Sequence, residues 1–351
     1  MGQSGNMKND VQMRECADMQ MKKFLNSIKI NLHICTFAYL IILFSCTDEQ
    51  KKSEKIKKEP EVIKTIPPPD FNADSAYGYV QKQVDFGPRV PGAIAHAKCA
   101  DYLLKKLKSF GLETILQKGV VTTFDNKQFN LKNIIGSYKS EATTRILLTS
   151  HWDCRPFADE DTKDPDKPFD SANDGASGVG VLLELARQLQ IKNPTIGVDI
   201  IFFDLEDYGE SENTQSWCLG SQYWSKNLHK PGYYAKFGVL LDMVGAPNAT
   251  FPKEGASVRY AKSVVDKVWD AANNIGYSNY FAPEVISFVG IDDHIHVNKA
   301  GIPCIDIIHY DAMTGGFGAY HHTHNDNMQM IDSQTLKAVG QTLLQVIYSE
   351  K

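Results

Sequence analysis

Gly197-Val198-Asp199-Ile200-Ile201-Phe202-Phe203-Asp204-Leu205-Glu206-Asp207 decides the fold. It opens as a β-branched and aromatic run and closes with three acids in four residues. The run Ile200 to Phe203 predicts a strand buried on both faces of a parallel sheet. In open α/β sheets, ligands bind beyond the carboxyl ends of the strands. Glu206 and Asp207 therefore fall where chemistry is expected. Neighbouring carboxylates repel unless a cation or a shared proton relieves them. The stretch points first to a metal; its bland reading is an acidic surface turn.

Working outward, similar apolar runs recur. Arg145 to Ser150 predicts a strand that delivers His151-Trp152-Asp153 at its end. Phe237 to Asp242 and Pro303 to Ile308 predict two more, and Val120 to Phe124 and Leu131 to Gly136 complete the set. Between them lie helical patterns. Asp74-Ser75 predicts the cap of a helix running to Val84, and a second helix runs to Phe110, stopped by Gly111. Ala172 to Gly178 opens a helix with Val179, Leu182, Leu183, Ala186 and Leu189 on one face. That places Asp174 at a helix N-terminus, where plain capping is its bland reading. Gly220 to Leu228 reads as helical, as does the stripe from Val258 to Ile275. Asp332-Ser333 predicts the cap of a last helix. Tyr208 to Trp217 reads as a loop over the site. Strands and helices alternate over about 280 residues without a linker. This predicts one α/β domain over residues 71–351, a mixed and mostly parallel central sheet with helices on both faces.

The formal charge of −5 argues against a nucleic-acid binder. Four cysteines, Cys99, Cys154, Cys218 and Cys304, fall in the domain without any Cys-x-x-Cys pair, so they do not form a zinc-finger set; one disulfide is allowed. His96 and His229 are expected on helix surfaces. His309 and His324 read as hydrogen-bonding loop residues, Trp269 as core, and Asp153 as a support for His151.

His151, Asp153, Asp174, Glu206, Asp207, Asp242, Asp292 and His322 all lie just beyond apolar runs or in loops. Together they would gather metal-competent and acid/base side chains on one rim of the sheet. Oxygen and imidazole ligands suit zinc, and a catalytic zinc keeps one position open. At these residues a resemblance appears. Asp174-Gly175, Glu206-Asp207 and His322-Thr323 resemble the co-catalytic zinc exopeptidase fold. More narrowly, the chain resembles the bacterial, animal-type glutaminyl cyclases. The stretches that carry this are Gly87 to Gly92, Ala172 to Gly178, Phe203 to Asp207, Trp217 to Ser221, Leu241 to Ala246, Asp292 to His294 and His322 to Asn327. They span nearly all of residues 75–350.

The resemblance implies that Asp174, Asp207 and His322 hold one zinc per chain. It implies that Glu206 is the general acid/base, that Asp242 and Asp292 form an acid network beside it, and that Trp217 flanks the substrate. Its substrates would be peptides or proteins with N-terminal Gln, acted on by a monomer. The animal enzymes carry Glu where Asp207 stands, whereas the bacterial ones share the Asp; Asp306 stands where the animal enzymes have His. The same fold offers a rival, a two-zinc aminopeptidase with His151 and Asp242 on a second metal. A binding module that kept the fold and lost activity is a further alternative.

The amino terminus reads separately. Met21-Lys22-Lys23 opens a basic segment, followed by an apolar run from Ile34 to Phe44. The run is short for a membrane span of about 30 Å and reads as a signal peptide over residues 1–45, with Met21 a plausible true start. Leu43-Phe44-Ser45-Cys46 resembles the bacterial lipoprotein signal, which makes Cys46 the lipidated residue. Residues 46–70, rich in Lys and Glu and ending in Pro67-Pro68-Pro69, read as a tether. The expected protein is exported and lipid-anchored to a bacterial membrane, facing the periplasm or cell surface. Cys46→Ser should then move the chain from the membrane to the soluble fraction, because the remaining tether is too polar to hold it. Fractionation of the mutant with membranes would overturn the anchor.

Overall fold

The computed structural model describes residues 66–311 and 315–351. The signal and anchor expectations, and the tether up to residue 65, lie outside the described residues. No helix among the described residues is long and apolar enough to cross a membrane.

The helices α1 (Ala73–Val84) and α2 (Ile94–Ser109) come first, then β1 (Glu113–Thr122), β2 (Gln128–Tyr138) and β3 (Arg145–His151). After a long loop come α3 (Ala176–Ile191), β4 (Gly197–Phe203), α4 (Leu219–Lys226) and β5 (Gly238–Asp242). The chain ends with β6 (Phe251–Lys253), α5 (Gly255–Asn274), β7 (Phe281–Val285), α6 (Asp293–Lys299), β8 (Cys304–Ile308) and α7 (Ser333–Ser349). Six strands form one sheet in the order β1-β2-β4-β3-β5-β8. β1 and β2 are antiparallel to each other, and β2 is antiparallel to β4. β4, β3, β5 and β8 run parallel, so their carboxyl ends share one edge.

β4 shows why this sequence forms this sheet. All seven of its residues are buried. Val198, Ile200 and Phe202 join the core on one face, with Val179 and Leu183 of α3 and Leu103 of α2. Ile201 and Phe203 point the other way, to Trp224 of α4 and Val297 of α6. Period-two alternation on a strand with helices on both faces makes the whole run apolar. Asp199 breaks the run, and it is matched by Arg145 on β3, whose Nη2 donates to Asp199 Oδ1 at 2.8 Å.

The structure corrects several boundaries. α1 is capped by Asn72, whose Oδ1 accepts from Ser75 N at 2.8 Å; Asp74 sits in the first turn instead, where the helix dipole favours it. β1 begins at Glu113 and stops at Thr122, because pairing with β2 extends it through residues of weak apolar pattern. β6 and β7 form a small parallel pair that the sequence pattern hides, each being short and containing a proline, Pro252 and Pro283. The cysteines Cys99, Cys154, Cys218 and Cys304 are buried free thiols, so the allowed disulfide is not formed.

The two ends of the domain are fastened together. Phe71 N donates to Gln341 Oε1 of α7 at 2.8 Å, and Gln341 Nε2 donates back to Pro69 O at 3.2 Å. The Phe71 ring fills the space that Gly340 leaves by lacking a side chain.

α3 seats its first turn directly against the sheet, and this fixes Asp174 at the shared edge. A Cβ on Gly178 would come within 2.5 Å of the Leu241 carbonyl oxygen and would also strike Ser150 Oγ. Gly178→Ala should therefore destabilise the domain by about 1–3 kcal/mol, the usual cost of overpacking. Chemical denaturation of mutant and parent checks this; an unchanged midpoint would mean that the first turn is free to shift.

Candidate active site

Four parallel strands end at one edge, and the loops that follow carry the predicted site. β3 delivers His151, β4 delivers Glu206 and Asp207, β5 ends in Asp242, and α3 begins just after Asp174. Asp292 N-caps α6, its Oδ1 accepting from Asp293 N at 2.5 Å. The three predicted metal ligands, the three predicted catalytic acids and Trp217 all line one cleft of ≈ 590 Å³.

Asp174 divides the cleft. Its Oδ2 lies 3.7 Å from His322 Nε2, which in turn lies 3.2 Å from Asp207 Oδ1. Its Oδ1 lies 3.0 Å from His151 Nε2, which is also 3.3 Å from Asp242 Oδ1. Two groups of three potential ligands result, each with its ligand atoms within 4.8 Å of one another: Asp174, Asp207 and His322, and His151, Asp174 and Asp242. The first group fits zinc best. Asp207 Oδ2 is buried without a hydrogen-bond partner, an arrangement that costs free energy unless a cation meets it. Burial alone would lower the pKa of His322, but Asp207, Asp159 and Asp174 raise it to about 10. The carboxylates thus hold a proton where a cation would serve. Two carboxylates and one imidazole opening onto a cleft form a donor set for a catalytic zinc.

A second set of acids lines the cleft beside the metal group and continues beneath it. Burial pushes the Glu206 carboxyl well above its ordinary range, and the charges of Asp207, Asp292 and Asp293 add to the effect. Asp242 is pushed up to about 7, by burial and then by Asp174. Asp306 is raised well above its range by burial and by Asp292 and Asp242. Asp292, His294 and Asp306 have ligand-type atoms within 4.8 Å of one another. His294 Nε2 reaches Glu254 Oε2 at 3.4 Å, and Glu254 caps α5 through Ala256 N and Ser257 N at 2.7 and 2.6 Å. The raised proton affinities of Glu206, Asp242 and Asp306 suit a site in which an acid must both accept and donate a proton.

Trp217 forms one wall. Its indole lies nearly parallel to the His322 ring, 8° apart with centroids at 6.3 Å. The Arg155 guanidinium sits 4.7 Å from the indole centroid. Trp217 Nε1 donates to Glu210 O at 3.0 Å, so the ring is held at both ends.

The sequence reading missed the groups that aim these side chains. Asp153 faces His151 Nδ1 at 3.6 Å, as expected, but its carboxylate also accepts from Glu206 N at 3.1 Å and Asp207 N at 3.3 Å. Asp326 does the same for the opposite loop, accepting from Asn173 N at 2.6 Å and Asp174 N at 2.9 Å. Each buried acid pins two successive backbone amides, and so fixes the carboxylates that project from them. The signal was present for Asp326, which lies inside the quoted His322 to Asn327 stretch. His96 is not a surface residue: it is 1% exposed, stacks on Trp152 and lies 2.7 Å from Asp204 Oδ1. His229 is half-buried in the loop after α4, where its Nδ1 accepts from Trp224 Nε1 at 3.1 Å. His309 and His324 are bonded to Tyr320 and Asp161, and Trp269 is core.

This sheet and this cleft define the zinc exopeptidase-like class of α/β enzymes. Residues 133–347 match the family model of peptidase family M28, and the chain belongs to that family. It is 52% identical to the solved Tannerella forsythia glutaminyl cyclase, covering 81% of this chain and 100% of that one with a TM-score of 0.79. It is 51% identical to a solved Zn-dependent exopeptidase from Parabacteroides distasonis, covering 81% and 100% with a TM-score of 0.78. A glutaminyl-peptide cyclotransferase of Bos taurus is more distant, 25% identical over 75% of this chain and 78% of its own. The family and these relatives point to a zinc-dependent enzyme.

Because Asp153 holds both the Glu206 and the Asp207 amide, Asp153→Asn can satisfy only one of them. It should lower metal affinity or turnover by about 10–100-fold while the fold persists, as is usual when a group supporting a metal ligand is removed. Zinc titration and kinetics on the mutant check this; parent values in both would make the two contacts incidental.

Proposed function

We propose that this chain is a glutaminyl-peptide cyclotransferase that converts the N-terminal Gln of peptides or proteins to pyroglutamate and releases ammonia. The observation that carries the reading is the 52% identity to the Tannerella forsythia glutaminyl cyclase across the whole of that chain. The site geometry agrees with it. Asp174, Asp207 and His322 would hold one zinc per chain, which when bound supplies a Lewis acid for the γ-carboxamide carbonyl. Glu206 takes a proton from the substrate's α-ammonium, leaving an amine free to attack its own side-chain carbonyl carbon. The ring N–C bond forms, Glu206 gives its proton to the side-chain nitrogen as that C–N bond breaks, and it then takes the second proton that the ring nitrogen sheds, which leaves with the ammonia as ammonium. Burial and the charges of Asp207, Asp292 and Asp293 keep the proton affinity of Glu206 high, and Asp242 lines the same cleft. Trp217 offers an apolar wall to the Gln side chain. Attack within one molecule needs orientation more than it needs a nucleophile from the protein.

The group of His151, Asp174 and Asp242 supports a second reading, a two-zinc aminopeptidase. Against it stands the 52% identity to a glutaminyl cyclase over the whole of that chain. Burial alone would lower the pKa of His151, yet its hydrogen bonds to Asp153, Asp174 and Asp242 raise it well above its ordinary value. We further propose that the enzyme is exported and anchored through a lipid on Cys46, and acts as a monomer; the Met21 to Cys46 sequence supports export and the anchor.

Glu206→Gln should keep its zinc and fold and lose ~10²–10⁴ in turnover, the usual contribution of a general acid–base group. Asp207→Asn should lose zinc as well as rate. Metal analysis and mass spectrometry of a Gln-initiated peptide test both mutants beside the parent, whose product should be lighter by one ammonia. Loss of the whole Gln residue, or two zinc per chain, would favour the aminopeptidase. A Glu206→Gln enzyme that cyclises at the parent rate would refute the mechanism.

A further inference from the structure

Glu206 needs its carboxylate aimed, and most of its surroundings repel it. Its backbone is held on both sides, with the amide on Asp153 and the carbonyl accepting from Cys218 N at 2.9 Å. Leu219 N donates to Leu205 O at 2.9 Å, so the start of α4 and the acidic loop are joined by two rungs. Cys218 also reaches the carboxylate, its Sγ lying 3.2 Å from Glu206 Oε1. The nearest imidazole nitrogen, His151 Nδ1, is 4.0 Å from Oε2, too far for a hydrogen bond.

We propose that Cys218 is a positioning residue for the reaction, its S–H donating to Glu206 and fixing the direction of that carboxylate. The inference rests on the cyclase reading of Glu206. Two further features support it. Cys218 is 0% exposed and has φ +57°, in the left-handed region. A residue other than glycine holds that conformation at a cost of about 1–3 kcal/mol and keeps it where the surroundings enforce it, commonly at functional sites. Glycine is absent from the position where the backbone would favour it, so the side chain has a use. Second, the thiol stays protonated: burial and the charges of Glu206, Asp293 and Asp292 push it well above its ordinary value. A protonated thiol is a weak donor. Such a donor can fix the direction of the carboxylate without neutralising it. Asp292 completes the arrangement, with Glu206, Cys218 and Asp292 placing polar atoms within 4.8 Å of one another.

The test compares Cys218→Ala, Cys218→Gly and Cys218→Ser with Glu206→Gln in the Gln-peptide cyclisation assay, with zinc content and denaturation midpoints measured alongside. Cys218→Ala should lower kcat about tenfold, leaving KM and zinc content at parent values. Cys218→Gly suits the local backbone and removes the donor, so it should fold and show the same loss. Cys218→Ser keeps a donor and should recover kcat to within about threefold of the parent. Parent-level kcat in the Ala and Gly variants would overturn the proposal. So would a Ser variant as impaired as the Ala one, since bulk alone would then be at stake. Loss of zinc from either donor-free variant would likewise make the role structural. A Glu206→Gln enzyme at the parent rate refutes the cyclase mechanism itself; an inactive Glu206→Gln beside a normal Cys218→Ala refutes only this inference.

Discussion

Repulsion among like charges is the constraint on which the rest of this structure depends. Asp174, Glu206, Asp207, Asp242 and Asp292 line a single cleft. Left alone, they would drive the loops apart or remain protonated. The front of the cleft gathers Asp174, Asp207 and His322 into a cation-binding group. The back retains protons, as the raised values of Glu206, Asp242 and Asp306 indicate. One edge of one sheet thus holds a place for a metal beside a place for a proton. The chemistry assigned to the chain needs both, on adjacent residues and in fixed order.

The aiming falls to the backbone. Asp153 and Asp326 each accept from two successive amides, one pair carrying Glu206 and Asp207, the other ending at Asp174. A carboxylate that receives two amide hydrogens loses much of its cost of burial. Leu205, Cys218, Met243 and His322 all have positive φ, and all four lie in or beside the cleft. Strain of that kind persists only where surrounding structure over-determines the backbone. Here the over-determination is visible as hydrogen bonds on both sides of Glu206.

The sheet was legible in the sequence because its central strands are buried on both faces and read as unbroken apolar runs. The acids that follow those runs were legible for the same reason, since strand ends define the edge where ligands bind. What escaped notice depends on distant pairing. His96 carries the pattern of a surface helix residue, and its burial follows from Asp204, 108 positions away. Asp153 reads as a neighbour of His151, and nothing local announces that it holds amides over 50 positions further on. Cys218 reads as an isolated thiol until α4 is docked against the end of β4. β6 and β7 were missed for a different reason: each is short, and proline interrupts the pattern by which strands are recognised.

The fastening of Phe71 to Gln341 sets a rule for how the chain reaches its native state. The two residues are 270 positions apart, and the contact closes nearly the whole domain. No amount of early synthesis can make it, because its second half arrives in the last helix. Contacts of such sequence separation are slow to form and reward the chain only late. A chain that lacks its last helix therefore lacks this clasp, and its first helix rests on α3 without it, Gln83 Nε2 donating to Ala176 O at 3.0 Å. The last helix to arrive completes the lock.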